Sequence, residues 1–296
     1  MALTVTPLTP AVGAEIGGVD VARLTDADFA QIKSAWDRHS VLLFRGKALG
    51  DDDLLAFSRR FGELDPPPNQ ENGRMSPPGY PDIYVVSNVL DEKGEPVGAL
   101  GAGEAVWHTD MSYVDRPPMM SMLYALEVPP GGGNTWFCSM AAAYAALPDD
   151  LRARIEGRRI KHDGTYNSGG YLRKGVTPTD DPLKAPGAFH PAVCAHPDTG
   201  VPALYLGRRR NAYVEGLSPA ESEAVLDALW AHLDQRRFAY EHYWRVGDLV
   251  MWDNRMTMHR RDPFDPHTRR MMHRTQIKGQ AAPRPYVRPD TVRKAG

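Results

Sequence analysis

Three residues of the types that bind transition metals recur in this chain at positions that could form one site. His108 and Asp110 are separated by a single residue, and His259 follows much later. Two neutral imidazoles and one carboxylate on one face of a metal ion are the ligand set of mononuclear iron(II) oxygenases, because this set leaves positions open for a co-substrate and dioxygen. The three residues therefore predict an oxidative iron site.

The strands that carry these residues must bring them together. On an extended segment His108 and Asp110 leave the same face while Thr109 points away, so the end of one strand can present both ligands. His259 follows an apolar run at 249–251, which indicates a buried strand. We therefore expect His259 just past the end of a second strand.

Several motifs extend this pattern along nearly the whole chain. They are Trp-His-Thr-Asp at 107–110, Gly-Gly-Asn-Thr at 132–135, Trp-Asp-Asn-Arg-Met-Thr-Met-His at 252–259 and Arg-Arg-Met-Met-His-Arg at 269–274, with further similarity at 8–20 and 57–62. Together they resemble the taurine/2,4-dichlorophenoxyacetate dioxygenase family of iron(II)- and 2-oxoglutarate-dependent enzymes.

The resemblance implies the cofactors and the residues that hold them. Iron(II) is then bound by His108, Asp110 and His259, and 2-oxoglutarate by Thr135 and Arg270, with dioxygen as the second co-substrate. The chemistry of 2-oxoglutarate agrees, since its keto-acid end chelates iron and its far carboxylate needs a fixed cation, ideally a two-pronged guanidinium.

The resemblance also implies the reaction. 2-Oxoglutarate is decarboxylated to succinate and CO2 while a hydroxyl group is delivered to a substrate carbon. If the hydroxylated carbon bears a heteroatom, the product decomposes by cleavage of that C–S, C–O or C–N bond. Halogenating relatives lack the metal-binding carboxylate, and because Asp110 fills that position, we expect hydroxylation or oxidative cleavage.

Arg274 is the main sequence indication of the substrate. It lies four residues beyond Arg270, so on a strand the two side chains share one face and reach one cavity. In the resembled family an arginine at this place contacts either the substrate's anionic group or 2-oxoglutarate, and both roles stay open. We expect a small anionic substrate, such as a sulfonate, sulfate ester, aryloxyacid or amino-acid-like molecule.

Residues that flank the metal ligands are candidates for the substrate pocket. They are Glu104, Met111 and Tyr113, although Glu104 could equally be solvated and Tyr113 could belong to the core. Family members that act on taurine use a histidine well before the metal motif. No histidine occurs here between His39 and His108, which disfavours taurine itself.

Composition is compatible with one large domain and narrows the compartment. Of the 296 residues 42% are hydrophobic, enough for a substantial core, and we expect a single domain over 1–296. Cys138 and Cys194 are the only cysteines and form no Cys-x-x-Cys pair, which indicates a reduced, cytoplasmic setting. Without a basic leader or a long apolar run we expect no membrane partner.

Clustered arginines raise the question of a nucleic-acid partner. The cluster comprises Arg208, Arg209 and Arg210 together with Arg260, Arg261 and Arg269. The net charge of −2 and the absence of a basic pattern interleaved with aromatic residues argue against nucleic acid. We expect these arginines to form a solvated face or a subunit contact, since the resemblance favours a homo-oligomer.

Periodicity predicts a mainly β fold with helical additions. Helices are predicted after the capping residue Thr25, over about 51–61, and from Pro219 to about Arg236. Strands are predicted at 41–44, 83–87, 121–128, 135–138, 160–162, 238–243, 248–252 and 270–277, with a hairpin over 190–206. Many strands with few helices favour a jelly-roll barrel, the double-stranded β-helix that is also the resembled family's fold.

Two stretches, 90–105 and 164–188, are rich in glycine and proline. Long irregular loops in compact domains often cover binding sites. We therefore predict that both act as lids over the substrate, simple surface loops being the alternative.

Two other functions could use the same metal ligands. A zinc hydrolase can hold a metal-bound water with two histidines and an aspartate, but it has no need for Thr135 and Arg270. A non-catalytic sensor could bind iron and 2-oxoglutarate and would form no succinate with any substrate.

Overall fold

The computed structural model describes residues 2–67, 76–103 and 105–288. The strands are β1 (Thr4–Pro7), β2 (Ala14–Gly17), β3 (Val41–Phe44), β4 (Tyr84–Ser87), β5 (Ala99–Leu100), β6 (Ala105–His108), β7 (Met120–Glu127), β8 (Thr135–Ser139), β9 (Arg159–Lys161), β10 (Phe189–Pro191), β11 (Val193–Ala195), β12 (Pro202–Leu204), β13 (Tyr213–Val214), β14 (Ala239–His242), β15 (Leu249–Asp253), β16 (Thr257–Arg261) and β17 (Met271–Ile277). The α-helices are α1 (Asp26–His39), α2 (Asp51–Arg59), α3 (Met140–Ala145), α4 (Asp149–Ile155) and α5 (Pro219–Leu233). The chain is thus mainly β with helical additions, as predicted.

Two large sheets carry the fold. The eight-stranded sheet has the order β1-β2-β3-β15-β7-β17-β4-β5, and the four-stranded sheet has the order β14-β8-β16-β6. All pairs in the four-stranded sheet are antiparallel, whereas β2–β3 and β4–β5 are parallel pairs in the larger one. Among the described residues, no helix is long and apolar enough to cross a lipid bilayer.

Alternate residues of the central strands enter different cores. On β3, Leu43 packs with Phe137 of the four-stranded sheet, while Leu42 packs in a separate cluster with Trp36 of α1. Helices α3 to α5 pack on the four-stranded sheet, where Leu229 of α5 joins a third cluster with β-strand residues. The central strands are therefore buried on both faces, which explains why they appear in the sequence as continuous apolar runs.

The capping signals in the sequence mark the helix starts correctly. Thr25 accepts a hydrogen bond from the Asp28 backbone and Asp28 reciprocates, and Ser218 and Glu221 do the same for α5. The predicted continuation of α5 to Arg236 is wrong, because the chain becomes extended at Gln235 and then forms a 3-10 turn. Helices α3 and α4 were not predicted, since each is shorter than two full apolar repeats.

The predicted hairpin over 190–206 is shorter in the structure. Strands β11 and β12 pair from Val193 to Leu204. The preceding residues form β10, which pairs with β9 instead. The apolar pattern of this stretch therefore belongs to two sheets, a division that turn signals alone do not encode.

A buried ionic cluster follows β15. Asp253 is 1% exposed and accepts from the Arg255 guanidinium at 2.7 and 2.9 Å and from His196 Nε2 at 3.0 Å. Burial alone would raise the pKa of Asp253, but Arg255 and His196 outweigh it and hold that pKa at about 2. The second residue of the Trp-Asp-Asn-Arg motif thus fixes the turn between β15 and β16.

Asp253→Asn is expected to lower the free energy of unfolding by about 3 kcal/mol, because it breaks a largely buried ion pair and leaves Arg255 with only the more distant carboxylate of Asp198, at 3.9 Å. Chemical denaturation at pH 7 measures the loss, and Asp227→Asn, which breaks an exposed pair with Arg209, is the control with a loss below about 1 kcal/mol. Since the folded pKa is depressed, the stabilisation is present above the unfolded value near about 4 and is lost as the pH falls towards the folded value. Equal losses in the two variants at pH 7 would contradict the assignment.

Candidate metal centre and active site

His108, Asp110 and His259 lie together between the two large sheets. His108 ends β6 and pairs directly with His259 on β16, with their ring centroids 4.1 Å apart. Asp110 lies in the turn after β6, and its Oδ1 is 3.8 Å from Nε2 of His108 and 3.9 Å from Nε2 of His259. These three residues form a group whose ligand atoms all lie within 4.8 Å of one another.

The expectation that His259 follows a strand is wrong. The apolar run is β15, but a tight turn at 254–256 returns the chain as β16 in the other sheet, and His259 is the middle residue of that strand. The inward direction of His259 is therefore set by strand alternation, since its neighbour Met258 packs on the helical side.

The protonation states of the three residues suit iron(II). Nδ1 of His108 donates to the Val106 carbonyl at 2.7 Å, which leaves its Nε2 lone pair for a metal. Burial lowers the pKa of His259 to about 4 and that of His108 well below its usual range. Burial would raise the pKa of Asp110, but Arg274 and the two imidazoles lower it. Two neutral nitrogen donors and one carboxylate are thus present at neutral pH, and they fit an iron(II) ion.

Asp110 is oriented by buried donors. Ser121 donates to its Oδ2 at 2.7 Å, and Asn254 of the Trp-Asp-Asn-Arg motif lies 3.1 Å from the Ser121 hydroxyl. Arg274 donates to Oδ1 at 3.2 Å and to Gln276 at 3.1 Å. Besides the two roles left open for Arg274, the structure therefore gives it a third, which is to hold the carboxylate of the trio.

A cavity of about 60 Å3 adjoins the two histidines and has Thr135, Arg261 and Arg270 in its wall. Arg270 is 2% exposed, and its Nε and Nη1 have no hydrogen-bond partner within the described parts of the chain. Burial, with Arg261 nearby, lowers the pKa of Arg270 well below its usual range, yet a guanidinium keeps its proton in proteins. A buried cation without a counter-charge is costly, so this cavity fits an anion such as the far carboxylate of 2-oxoglutarate.

A second cavity, of about 40 Å3, adjoins Asp110 and shares His108, Ser168 and Arg274 with the first. Met111 and Tyr113 lie in its wall. Met111 has a left-handed backbone with φ of 47°, so the chain turns sharply immediately after Asp110. The third flanking candidate, Glu104, lies outside the described residues.

Comparison with known proteins identifies the family. The model of the taurine catabolism dioxygenase TauD, TfdA family matches residues 4–276. The chain belongs to the TauD, TfdA family.

Two curated relatives and one solved structure place this dioxygenase more closely. It is 38% identical to the alpha-ketoglutarate-dependent 2,4-dichlorophenoxyacetate dioxygenase of Cupriavidus pinatubonensis, over 93% of this chain and 97% of the relative. It is 35% identical to the pentalenolactone F synthase of Streptomyces avermitilis, over 88% and 89%. The structure of AAD-2 in complex with Mn(II) and N-oxalylglycine matches with a TM-score of 0.77 and 31% identity, covering 97% of this chain and all of that one (100%).

These similarities establish the enzyme class. The protein is an iron(II)- and 2-oxoglutarate-dependent dioxygenase that uses dioxygen, and the hydrolase and sensor alternatives are not favoured. The geometry agrees, because the buried cation at Arg270 has no purpose in a simple hydrolytic zinc site.

Two arginines expected on a solvated face are buried in the dioxygenase site. Arg208 and Arg261 are each only 8% exposed and line the two cavities. Arg261 lies two residues beyond His259 on β16, so strand alternation could have revealed it. Arg208 lies in a loop, where no local pattern gives its direction. Their neighbours Arg209 and Arg210 are ion-paired with carboxylates on the outside.

The two predicted lid stretches differ in structure. The first is not irregular throughout, because β5 pairs with β4 and Leu90 bridges to Pro96. The second contains only a bridge between Tyr166 and Leu172, and its residues Asn167, Ser168, Gly169 and Arg173 contribute to the walls of the cavities. The second stretch thus forms part of the site in this structure.

Trp244 is a positioning residue that sequence reasoning missed. Its Nε1 donates to Oγ1 of Thr135 at 2.9 Å, so the Thr135 hydroxyl hydrogen is available for an anion in the first cavity. Trp244 lies in a loop after β14 and carries no motif of its own. Only the folded structure brings it to Thr135.

Trp244→Phe is expected to weaken 2-oxoglutarate binding by about threefold to tenfold, since one neutral hydrogen bond contributes about 0.5–1.5 kcal/mol. The KM for 2-oxoglutarate measures this, with little change expected in kcat at saturation. The matched control is Trp230→Phe on α5, because Trp230 packs against a different core cluster from Trp244. Equal KM changes in the two variants would show that Trp244 has no specific role.

Proposed function

We propose that this dioxygenase couples decarboxylation of 2-oxoglutarate to hydroxylation, or oxidative cleavage by hydroxylation, of a small organic anion. The observation that carries the proposal is the buried guanidinium of Arg270 beside a His-Asp-His trio, since its Nε and Nη1 have no hydrogen-bond partner among the described residues. In this assignment His108, Asp110 and His259 bind iron(II). Their donor types and their neutral and ionised states support it.

The protein's own contribution is positioning and exclusion of water. Bound iron supplies the activation of dioxygen. Arg270 and the Thr135 hydroxyl hold the far carboxylate of 2-oxoglutarate at a fixed distance from the trio. Arg274 and Ser121 hold Asp110 in one orientation. All five side chains are buried, which strengthens each electrostatic contact relative to water.

An anionic substrate is supported by the charge of the second cavity. Arg173, Arg208 and Arg274 all lie in its wall, and among the described residues Asp110 is the one carboxylate there. The relative from C. pinatubonensis acts on 2,4-dichlorophenoxyacetate, an aryloxyacid anion. Met111 and Tyr113 are proposed to contact the substrate, and the segment 164–188 to cover it as a lid.

Succinate formation tests the proposed function. The iron-loaded protein is supplied with 2-oxoglutarate and oxygen, without substrate and then with pools of sulfonates, sulfate esters, aryloxyacids and amino acids, and with a pool of uncharged alcohols. Stimulation by an anionic pool supports the proposal and names the substrate class. Stimulation by uncharged compounds alone would overturn the anionic assignment, and no succinate under any condition, including the slow background, would overturn the coupled reaction.

Several expectations from the sequence stay predictions. We propose that the two large sheets form the double-stranded β-helix of a jelly roll, and that residues 1–296 form one domain; the family match over 4–276 supports both. The homo-oligomer, the cytoplasmic location and the absence of nucleic-acid and membrane partners rest on the sequence alone. Light scattering of the purified protein tests the oligomer.

A further inference from the structure

We propose that Arg208 binds the anionic group of the substrate, and that the rest of the substrate is an apolar body seated in an outer cavity beside it. The inference rests on the proposed function and specifies it, because it names the substrate as an amphipathic anion and assigns its recognition to a residue outside the family motifs.

Arg208 is a buried cation without a carboxylate partner. It donates through Nη1 to the Tyr166 carbonyl, and its Nε has no hydrogen-bond partner. Across the described ranges no carboxylate lies within 4.0 Å of its guanidinium, whereas its neighbours Arg209 and Arg210 are both ion-paired. Burial, followed by repulsion from Arg173, lowers the pKa of Arg208 to about 10, although the carboxylates of Asp163 and Asp110 act in the opposite direction. Arg208 is therefore charged at neutral pH, with carboxylates nearby but none in direct contact among the described residues. A ligand anion would supply a counter-charge in direct contact with the guanidinium.

Arg274 is less suited to this task, although it lines the same cavity. Its guanidinium already donates to Asp110 and Gln276. The positive charge of Arg274 is therefore compensated by the carboxylate of the trio. Arg208 differs from Arg274 in this respect, because it makes no direct carboxylate contact in the described part of the chain.

The outer cavity can hold the remaining part of the substrate. It has a volume of about 300 Å3 and shares Tyr84 and Asn167 with the inner cavity of about 40 Å3. None of the described side chains that line it is charged. Leu90 and Tyr171, in its wall, are 57% and 64% exposed, so this cavity presents apolar surface that a ligand could bury. The inner cavity has room for a small head group only, and an uncharged chain or ring therefore extends outwards.

Binding of matched charged and uncharged ligands tests the head-group assignment. The protein loaded with Mn(II) and N-oxalylglycine, which cannot turn over, is titrated calorimetrically with 2,4-dichlorophenoxyacetate and octyl sulfate, and with 2-(2,4-dichlorophenoxy)ethanol and 1-octanol. We expect at least one anion to bind about tenfold or more tightly than its uncharged partner. Arg208→Gln is expected to remove that preference while leaving the alcohols unchanged, and Arg209→Gln is expected to retain it.

Further variants separate the possible failures. Arg208→Lys keeps a cation and is expected to retain part of the preference, and an unchanged affinity for N-oxalylglycine shows that each variant is folded. Full retention of the preference in Arg208→Gln, or its loss in Arg274→Gln alone, would overturn the inference. So would the lack of any preference in the unmodified protein. The proposed function is decided separately, by succinate formation and by Arg270-dependent binding of N-oxalylglycine.

Chain length tests the apolar part. From butyl to octyl sulfate the head group is constant, and affinity is expected to rise about threefold per methylene while the outer cavity fills. Tyr171→Ser is expected to flatten this rise without affecting butyl sulfate. An affinity independent of chain length in the unmodified protein would exclude an apolar body in this cavity.

Discussion

Arg270→Met is expected to reduce 2-oxoglutarate binding by about 100-fold or more, since two charge-assisted hydrogen bonds at about 1.5–3 kcal/mol each are lost. The same change is expected to leave the ligand-free protein as stable as before, or more stable. The reason is that the buried guanidinium has no counter-charge among the described residues, and replacing an uncompensated buried charge by an apolar side chain removes a desolvation cost.

Two measurements on Arg270→Met and a control variant test the expected loss of binding and the expected lack of destabilisation. Calorimetric titration with N-oxalylglycine gives the affinity, and chemical denaturation without ligand gives the stability. Arg269→Met is the control, because Arg269 is exposed and paired with Glu127; it is expected to change neither quantity by much. If Arg270→Met were strongly destabilised while ligand binding stayed intact, Arg270 would have to be a structural residue.

The grouping of the three proposed metal ligands was predictable from local motifs. His108 and Asp110 sit side by side in one motif, and the resemblance supplied His259. The capping boxes at Thr25 and Ser218 are also local, since each needs only residues three apart. Features of this kind can be predicted because they depend on residues that are close in the sequence.

The remaining parts of the site depend on contacts between distant segments. Arg208 enters the site because its loop is bonded to the metal motif, where the Thr109 N–H donates to the Gly207 carbonyl at 3.2 Å, and no periodic pattern marks that direction. Trp244 reaches Thr135 across more than a hundred residues of sequence. The prediction puts His259 beyond the end of a strand, because the apolar run at 249–251 gives no indication of the turn at 254–256 or of the second strand that follows it. The positions of these side chains therefore depend on tertiary contacts, which local sequence propensities do not predict.

Each of the two cavities beside the His-Asp-His trio contains a buried arginine. Each brings a buried cation close to the proposed metal ligands, Arg270 in the first cavity and Arg208 in the second, and neither guanidinium contacts a carboxylate among the described residues. An anion bound in each cavity would supply a contacting counter-charge. Binding of 2-oxoglutarate and of an anionic substrate is accordingly expected to stabilise the fold as well as to arrange the reaction.

In the proposed site Asp110 binds the metal and also pairs with Arg274, and the two roles can be separated. Asp110→Asn is expected to lower the affinity for Mn(II) or iron(II) by more than the roughly 10- to 100-fold typical of losing an outer partner of a metal ligand. It is also expected to destabilise the metal-free protein by about 3 kcal/mol or more, because Arg274 then lies buried without its carboxylate. Arg274→Gln alone is expected to weaken metal binding within that roughly 10- to 100-fold range.

The double variant Asp110→Asn with Arg274→Gln distinguishes these roles. It is expected to recover much of the lost stability, since neither charge remains, but none of the metal affinity. Metal competition with a chelator and denaturation of the metal-free protein give the two quantities. Recovery of metal binding in the double variant would mean that Asp110 acts only by neutralising Arg274. Of the three proposed ligands, only His108 and His259 would then remain.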